Sequence, residues 1–242
     1  MFTETVTATD GTTTTGTATE AHALILLRRT LKYGRCTAEA TRTGGAIIER
    51  EVRDGGLVAK KRSITLEPVK PVGSITANTR GHLAAIDAES APYLVTEAMP
   101  PFQSRVGRIS AGVDSIPPAA TARLVDRGLV TVGPPWRSTS NGYLPETRAT
   151  VAVSLAARLA MLAQDHRTYT IAPAGYVKPL DIGHDFIGRN SPRGGVTYDR
   201  RSPAGCSCRT WSATSVDGRD DARRLAREHR QQMTAEFIAS LG

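Results

Sequence analysis

Two cysteines one residue apart, Cys206 and Cys208, stand 21 to 23 residues before a histidine, His229, and this is the group in the chain best suited to hold a metal. Disulfide geometry is hard to meet across a single intervening residue, so the two thiols are not expected to pair with each other. Thiolate sulfur and imidazole nitrogen are the ligands zinc prefers, and a closed site takes four of them. The residues around the cysteines, Val196 to Tyr198 and Trp211 to Thr214, have the composition of short strands that form a hairpin. Asp220 to Leu241 has a helical period, with Ala222, Leu225, Ala226, His229, Met233 and Phe237 along one face. A cysteine pair on a hairpin facing a histidine on a helix is a zinc-finger arrangement. Met233 stands where a second histidine four residues after His229 would complete the set. His184 is therefore the candidate fourth ligand, and the expected set is Cys206, Cys208, His229 and His184, with zinc as the implied ion. The expected module is a small ββα-like unit over residues 206–242.

Other chemistry has little to stand on. The chain has no Gly-x-Ser-x-Gly elbow and no Gly-x4-Gly-Lys-[Ser/Thr] phosphate loop. His184-Asp185 echoes the dipeptide of metal-dependent phosphohydrolases, but five histidines in all do not supply the further ligands. Gly44-Gly45, Gly55-Gly56 and Gly194-Gly195 read as helix stops and turns. No catalytic residue is expected.

The formal net charge is +8, and 26 of the 31 basic residues are arginine. An arginine bias also follows from a GC-rich genome, so the weight rests on the charge, which favours a polyanionic partner through counterion release. Residues 28–80 hold twelve Lys/Arg against five Asp/Glu, a net of +7. Three cysteines do not suit a secreted disulfide framework. No apolar run approaches the ~18 residues of a membrane span, and no signal peptide is visible, so a cytoplasmic location without membrane attachment is expected.

Aromatics are only 5% of the chain, which favours small helical units with cores of Ala, Val, Leu and Ile. Residues 1–18, rich in threonine, read as a disordered arm. Thr17 followed by Glu20 is a capping-box pattern, and Ala23, Leu24, Leu27 and Leu31 then recur at helical spacing up to Gly34. A second helix is expected from Thr37 and a third from Ala46 to Asp54, with Ile47, Ile48 and Val52 inward. Two β-prone pieces, Leu57 to Ala59 and Ile64 to Leu66, flank the cations Lys60, Lys61 and Arg62 as a wing, and a helix from Thr76 through Ile86 follows. Val125 to Val130 resembles Val52 to Val58, and Arg158 to Leu162 resembles His82 to Ile86, suggesting a duplicated unit. In the second copy the wing spans Gly133 to Tyr143 and a long helix runs from Thr147 to Gln164. Residues 168–205, rich in Gly, Pro and Arg, read as a linker or irregular lobe.

Helix, helix, helix, basic hairpin, helix is the order of a winged helix-turn-helix, and the junction at residues 124–130 resembles that of MarR-type repressors. The C-terminal part is similar to small Cys-x-Cys…His modules of actinobacterial and actinophage proteins, from which no function is carried over. The implied fold is mainly α with small β-hairpins (α+β): winged-helix units over residues 19–90 and 91–167, then the Cys/His module. The resemblance implies binding of double-stranded DNA through recognition helices and wings. Arg42, Arg50, Arg53, Lys60, Lys61 and Arg62 would make the contacts in the first unit, and Thr121, Arg123, Arg127 and Arg137 in the second. The expected role is a DNA-binding regulator or accessory factor of a phage, plasmid or mobile element, acting as a monomer or as a homodimer through the 147–164 helix. The alternative is a structural or adaptor protein of a virion or assembly.

Overall fold

In the computed structural model, which describes residues 1–33, 35–54, 58–96, 98–99, 103–104, 107–111, 114–138, 146–171 and 201–241, the threonine-rich start of the chain is an ordered hairpin. Strands β1 (Phe2–Thr7) and β2 (Thr13–Ala18) pair antiparallel. β-Branched threonine suits a pleated, half-exposed surface. The turn is closed by Asp10, whose Oδ1 accepts from the Thr12 amide and hydroxyl at 2.9 and 2.7 Å, with Gly11 at φ +88°. Phe2, only 1% exposed, anchors the hairpin, so the expected disordered arm is ordered at the edge of a sheet, with Phe2 and Ala18 reaching the core.

Helix α1 (Glu20–Lys32) follows as the sequence predicts. Its cap is Thr19, which accepts from the His22 amide at 3.1 Å. Glu20 does not turn back on its own helix: its Oε1 accepts from the Leu155 amide at 2.6 Å, stabilising the start of a distant one.

Strands β3 (Cys36–Ala40), β4 (Ala46–Asp54) and β5 (Val58–Pro68) complete a five-stranded antiparallel sheet in the order β2-β1-β5-β4-β3. The two helices expected at Thr37 and at Ala46 to Asp54 are thus strands. Ile47, Ile48 and Val52 satisfy a helical period as well as they satisfy a strand, and β-branched residues with a long partner decide for the strand. Lys60, Lys61 and Arg62 lie within β5 and not at a wing tip. Alternation sends successive side chains of the sheet to opposite faces: Ala46 and Ile48, with Leu66, are buried on the α1 side, while Glu49 and Lys61 pair at 3.5 Å on the other.

Helix α2 (Ala77–Ala88) forms where expected, capped by Thr76, and buries Leu83 and Ile86. A second five-stranded antiparallel sheet has the order β10-β9-β6-β12-β11. Its strands are β6 (Tyr93–Thr96), β9 (Ile109–Ala111), β10 (Asp114–Ile116), β11 (Val130–Ser138) and β12 (Glu146–Val153); β7 (Ala98–Met99) and β8 (Gln103–Ser104) form a small pair of their own. Helix α3 (Pro118–Asp126) precedes β11. It ends in a Schellman stop: Leu129 N–H donates to Leu124 O and Gly128 N–H to Val125 O, both at 2.9 Å, with Gly128 at φ +66°. The helix-to-strand junction read at residues 124–130 is therefore present. The duplication is not, because the first-copy counterpart of this junction lies on β4 and not on a helix.

The expected long helix at 147–164 splits. Thr147 to Val153 belongs to β12, which pairs with β6 and β11, and Ser154 caps helix α4 (Leu155–Asp165) by accepting from the Ala157 amide at 3.1 Å. The apolar excess that suggested a dimer face is internal: Leu155, Ala156, Ala157, Leu159 and Ala160 are all buried.

The remaining elements are β13 (Thr168–Thr170), β14 (Ser202–Cys206), β15 (Ser212–Ser215) and α5 (Arg219–Ser240), with the strands forming a third antiparallel sheet in the order β13-β14-β15. Among the described residues there are sheets of five, five, three and two strands and five helices, which overturns the mainly α class and the tandem winged helices: the fold is mixed α/β with antiparallel sheets. The chain divides into two units, Met1–Gln164 with Ile238–Gly242, and Asp165–Phe237. The division thus falls just before β13. Among the described residues no helix is long and apolar enough to cross a membrane.

Candidate metal centre

The second unit brings four metal-ligating side chains to one point. Cys206 ends β14 and Cys208 sits in the turn after it, where Arg209 takes the left-handed conformation at φ 62° and donates its amide to Cys206 O at 3.1 Å. This is the sharp knuckle that lets two thiols one residue apart face the same side. Ser207, between them, points away and ties the turn to the chain before β13. Its hydroxyl donates to Asp165 O at 2.8 Å and accepts from the Arg167 amide at 2.9 Å, and its own amide donates to Arg167 O at 2.9 Å. These bonds, with the pairing of Thr168 to Cys206, hold His166 beside the cysteines.

The fourth group comes from α5. Ala222 and Ala226 pack with Ala204 and Trp211 as the small core of this unit, and His229, one turn further on the same face, is 5% exposed. Arg230 bonds the Thr168 hydroxyl, fastening the helix to β13. At the helix start, Asp221 accepts from Ser215 Oγ at 2.6 Å, and this bond together with the Arg224 guanidinium holds its carboxyl below the usual range. The indole of Trp211 stacks on the His229 ring, centroids 4.7 Å apart and planes 6° from parallel. Trp211 thereby fixes the ring's orientation and shields it from water.

The ligand atoms of His166, Cys206, Cys208 and His229 all lie within 4.8 Å of one another. Cys206 Sγ is 3.9 Å from His166 Nδ1, and Cys208 Sγ is 3.7 Å from His229 Nε2. Around a tetrahedral zinc, sulfur at ~2.3 Å and nitrogen at ~2.0 Å would stand ~3.6 Å apart. The observed separations approach that value with only small closure required. The cluster could hold a metal ion.

The two thiols differ in their electrostatics. Burial pushes the Cys206 thiol up, and the neighbouring Cys208 side chain adds to this against the opposing hydrogen bonds of the Cys208 backbone and Ser207. At Cys208 burial also raises the value, but hydrogen bonds from Thr210, side chain and backbone, and from Cys206 and His229 outweigh it and bring the thiol down to about 5. Thr210 Oγ1 stands 3.2 Å from the Cys208 sulfur. A thiolate is the form a metal binds.

Three of the four expected ligands, Cys206, Cys208 and His229, are thus assembled. His184 lies outside the described residues, and the histidine that joins the set is His166. It sits 40 residues before Cys206, and only the strand pair β13–β14 brings it close. Tyr169 to Ile171 reads as an extended piece, so a histidine just ahead of a candidate strand was the available signal.

The residues expected to contact DNA do not form recognition helices and wings. Arg42 is exposed in the β3–β4 turn, and Arg50 and Arg53 lie on β4. Lys60, Lys61 and Arg62 lie on β5, Lys61 being paired with Glu49. Thr121 is fully buried: its hydroxyl accepts from the Ile109 amide and donates to Ile116 O, both at 3.2 Å. Arg127 donates to Ser74 O at 3.0 Å, a contact within the fold. Arg123 is exposed on α3 and Arg137 on β11. Compared with known proteins, the chain matches no family model, no curated protein and no solved structure.

Proposed function

We propose that residues 165–237 are a zinc-binding module in which the ion has a structural role. The observation that carries this reading is the convergence of His166, Cys206, Cys208 and His229 within 4.8 Å. Two sulfurs and two nitrogens suit zinc over the harder cations, which take oxygen. Four protein ligands close the coordination shell, whereas a catalytic zinc keeps one position for water or substrate. Among the described residues the apolar core beside the site is small, built on three alanines and Trp211, and small units of this kind commonly depend on a metal or disulfides. Metal analysis of the purified chain tests the assignment: about one zinc per chain is expected in the native protein, and much less in H166A or C208S. Full zinc in both variants would rule out this ligand set.

A pH dependence of the metal-free thiols follows from their opposite shifts. A depressed thiol contributes stability that is complete above its unfolded value, ~8.5, and lost as pH falls through its folded value. With Cys208 at about 5, the thiolate persists well below neutrality. In the metal-free chain Cys208 is therefore expected to stay reactive toward a thiol-alkylating reagent at pH 6 and to lose that reactivity at or below about pH 5, measured from the pH profile of alkylation. Loss between pH 7 and 6 would contradict a thiolate held this low.

Nucleic acid as the partner of the whole chain keeps the net charge of +8 as its support. The winged helices that were to deliver the contacts are absent from the described residues, so this reading has no assigned surface.

A further inference from the structure

The face of the first sheet that looks toward α1 changes character along its strands. At one end Leu66, Ala46 and Ala40 stand side by side and are buried; next come Ile64, Ile48 and Ala38; then Arg62, Arg50 and Cys36. Arg50 and Arg62 are direct cross-strand partners, an arrangement of like charges that costs stability unless something answers it. Arg29, from the last turn of α1, joins them. Among the described residues none of the three guanidinium groups makes an ion pair; Arg50 only lies over the Tyr33 ring, 5.6 Å from its centroid.

These three arginines line one cavity of about 330 Å³, within the size range of small-molecule sites. Its apolar wall is made by Leu26 of α1 and by Val6, Ile48 and Ile64 of the sheet. The one acid in the lining, Glu4, is the partner of Leu66, four residues along β5 from Arg62 and so ~13 Å away, and it stands 3.5 Å from His22. The cavity thus has a cationic end and an apolar body with no acid beside the cations. Guanidinium forks bind phosphate in a bidentate manner, and three of them exceed the charge of a dianion. We propose that this cavity binds a small organic phosphate, its phosphoryl group held by Arg50, Arg62 and Arg29 and its apolar body laid against Ile48, Ile64 and Leu26.

The test uses the full zinc-loaded chain and isothermal titration at fixed ionic strength, with 2-naphthyl phosphate, 2-naphthol and inorganic phosphate as probes. The naphthyl phosphate is expected to bind at least about ten-fold more tightly than either fragment, since only it meets both ends of the cavity. The double variant R50Q/R62Q should lose about ten-fold or more while its melting temperature holds or rises, because the opposed like charges are gone. The charge-keeping R50K/R62K should lose several-fold, because the planar fork is missing. Equal binding of 2-naphthol, or unchanged affinity in R50Q/R62Q, would overturn the proposal. So would binding of a single-stranded oligonucleotide that requires both arginines while naphthyl phosphate gives no heat, which would make the patch a nucleic-acid surface.

Discussion

Removing the proposed zinc, or one buried member of its ligand set, is expected to unfold residues 165–237. Structural zinc contributes about 10–16 kcal/mol of apparent binding free energy in finger-sized units at neutral pH, which is folding free energy when no site exists in the unfolded chain. Among the described residues, the apolar cluster beside the site is Ala204, Ala222 and Ala226 with Trp211, and alanines bury little area each. C206S should act most severely, because Cys206 is 5% exposed at the end of the central strand of its sheet. H229A should nearly match it, since it also strips the ring on which Trp211 stacks. Two readouts follow. Tryptophan emission should shift to the red on chelation, because Trp211 loses its stacking partner, and limited proteolysis should open sites in β14, β15 and the start of α5. Unchanged emission and unchanged protection in chelator-treated protein and in C206S would sink the structural role. Helix content is the weaker readout. The α5 segment carries its own i,i+3 and i,i+4 pairs, Arg224 with Asp221 and Glu228, both at 2.6 Å, and will retain part of its helix alone.

The second large effect is expected at Gly45 and Gly44, in the β3–β4 turn. A Cβ on Gly45 would stand 2.1 Å from Leu66 O, and one on Gly44 would stand 2.5 Å from Ala156 O, both backbone atoms that cannot swing aside. Gly44 also has φ +88°, which L side chains rarely adopt. Overpacking against backbone plus the left-handed penalty puts G44A and G45A at about 3 kcal/mol or more of destabilisation. For a chain of this size that corresponds to a fall of roughly 6–12 °C in melting temperature of the first unit. Two other glycines serve as controls. Gly11 has the same φ of +88° but nothing within 4 Å of a Cβ, so G11A should cost only about 1 kcal/mol. Gly16 has neither feature, and G16A in β2 should be neutral or slightly stabilising. If G45A melts like G16A, the close approach of the turn to β5 is wrong.

The glycines show why much of the first unit was hard to read in advance. A Gly-Gly pair after an apolar stretch looks like a helix stop, and only the packing of the turn on Leu66 and Ala156 makes it a hairpin corner. The same holds for Ala46 to Asp54. Its isoleucines and valine fit either period, and the choice was made by pairing along the whole length with β5, from Asp54–Val58 out to Ala46–Leu66, which a period counted within the segment does not register. Thr147 to Val153 ran on into α4 in the periodicity because apolar residues continue without a gap. The break is at Ser154, whose hydroxyl caps α4 while Glu20, from α1, accepts from the next amide.

Some local signals held. Helices α1 and α2 follow from threonine starts and a 3.6-residue apolar period and α5 from its period alone, and the glycine stop after α3 follows from Leu124 to Leu129. Cys206, Cys208 and His229 were legible as ligands because the chemistry of thiol and imidazole is written in the residue types and the helix face in the spacing. The fourth ligand was not, because His166 reaches the site through a strand pairing that spans about 40 residues, and such pairings leave no mark in local spacing. The meeting of Arg29, Arg50 and Arg62 over one cavity belongs to the same class. Sequence alone determined the basic charge, helices α1, α2 and α5 and three members of the Cys/His cluster, since each is written in residue types or in the period of one segment. Tertiary structure alone decided the three sheets, the fourth ligand and the arginine-lined cavity, since each depends on which distant strands pair.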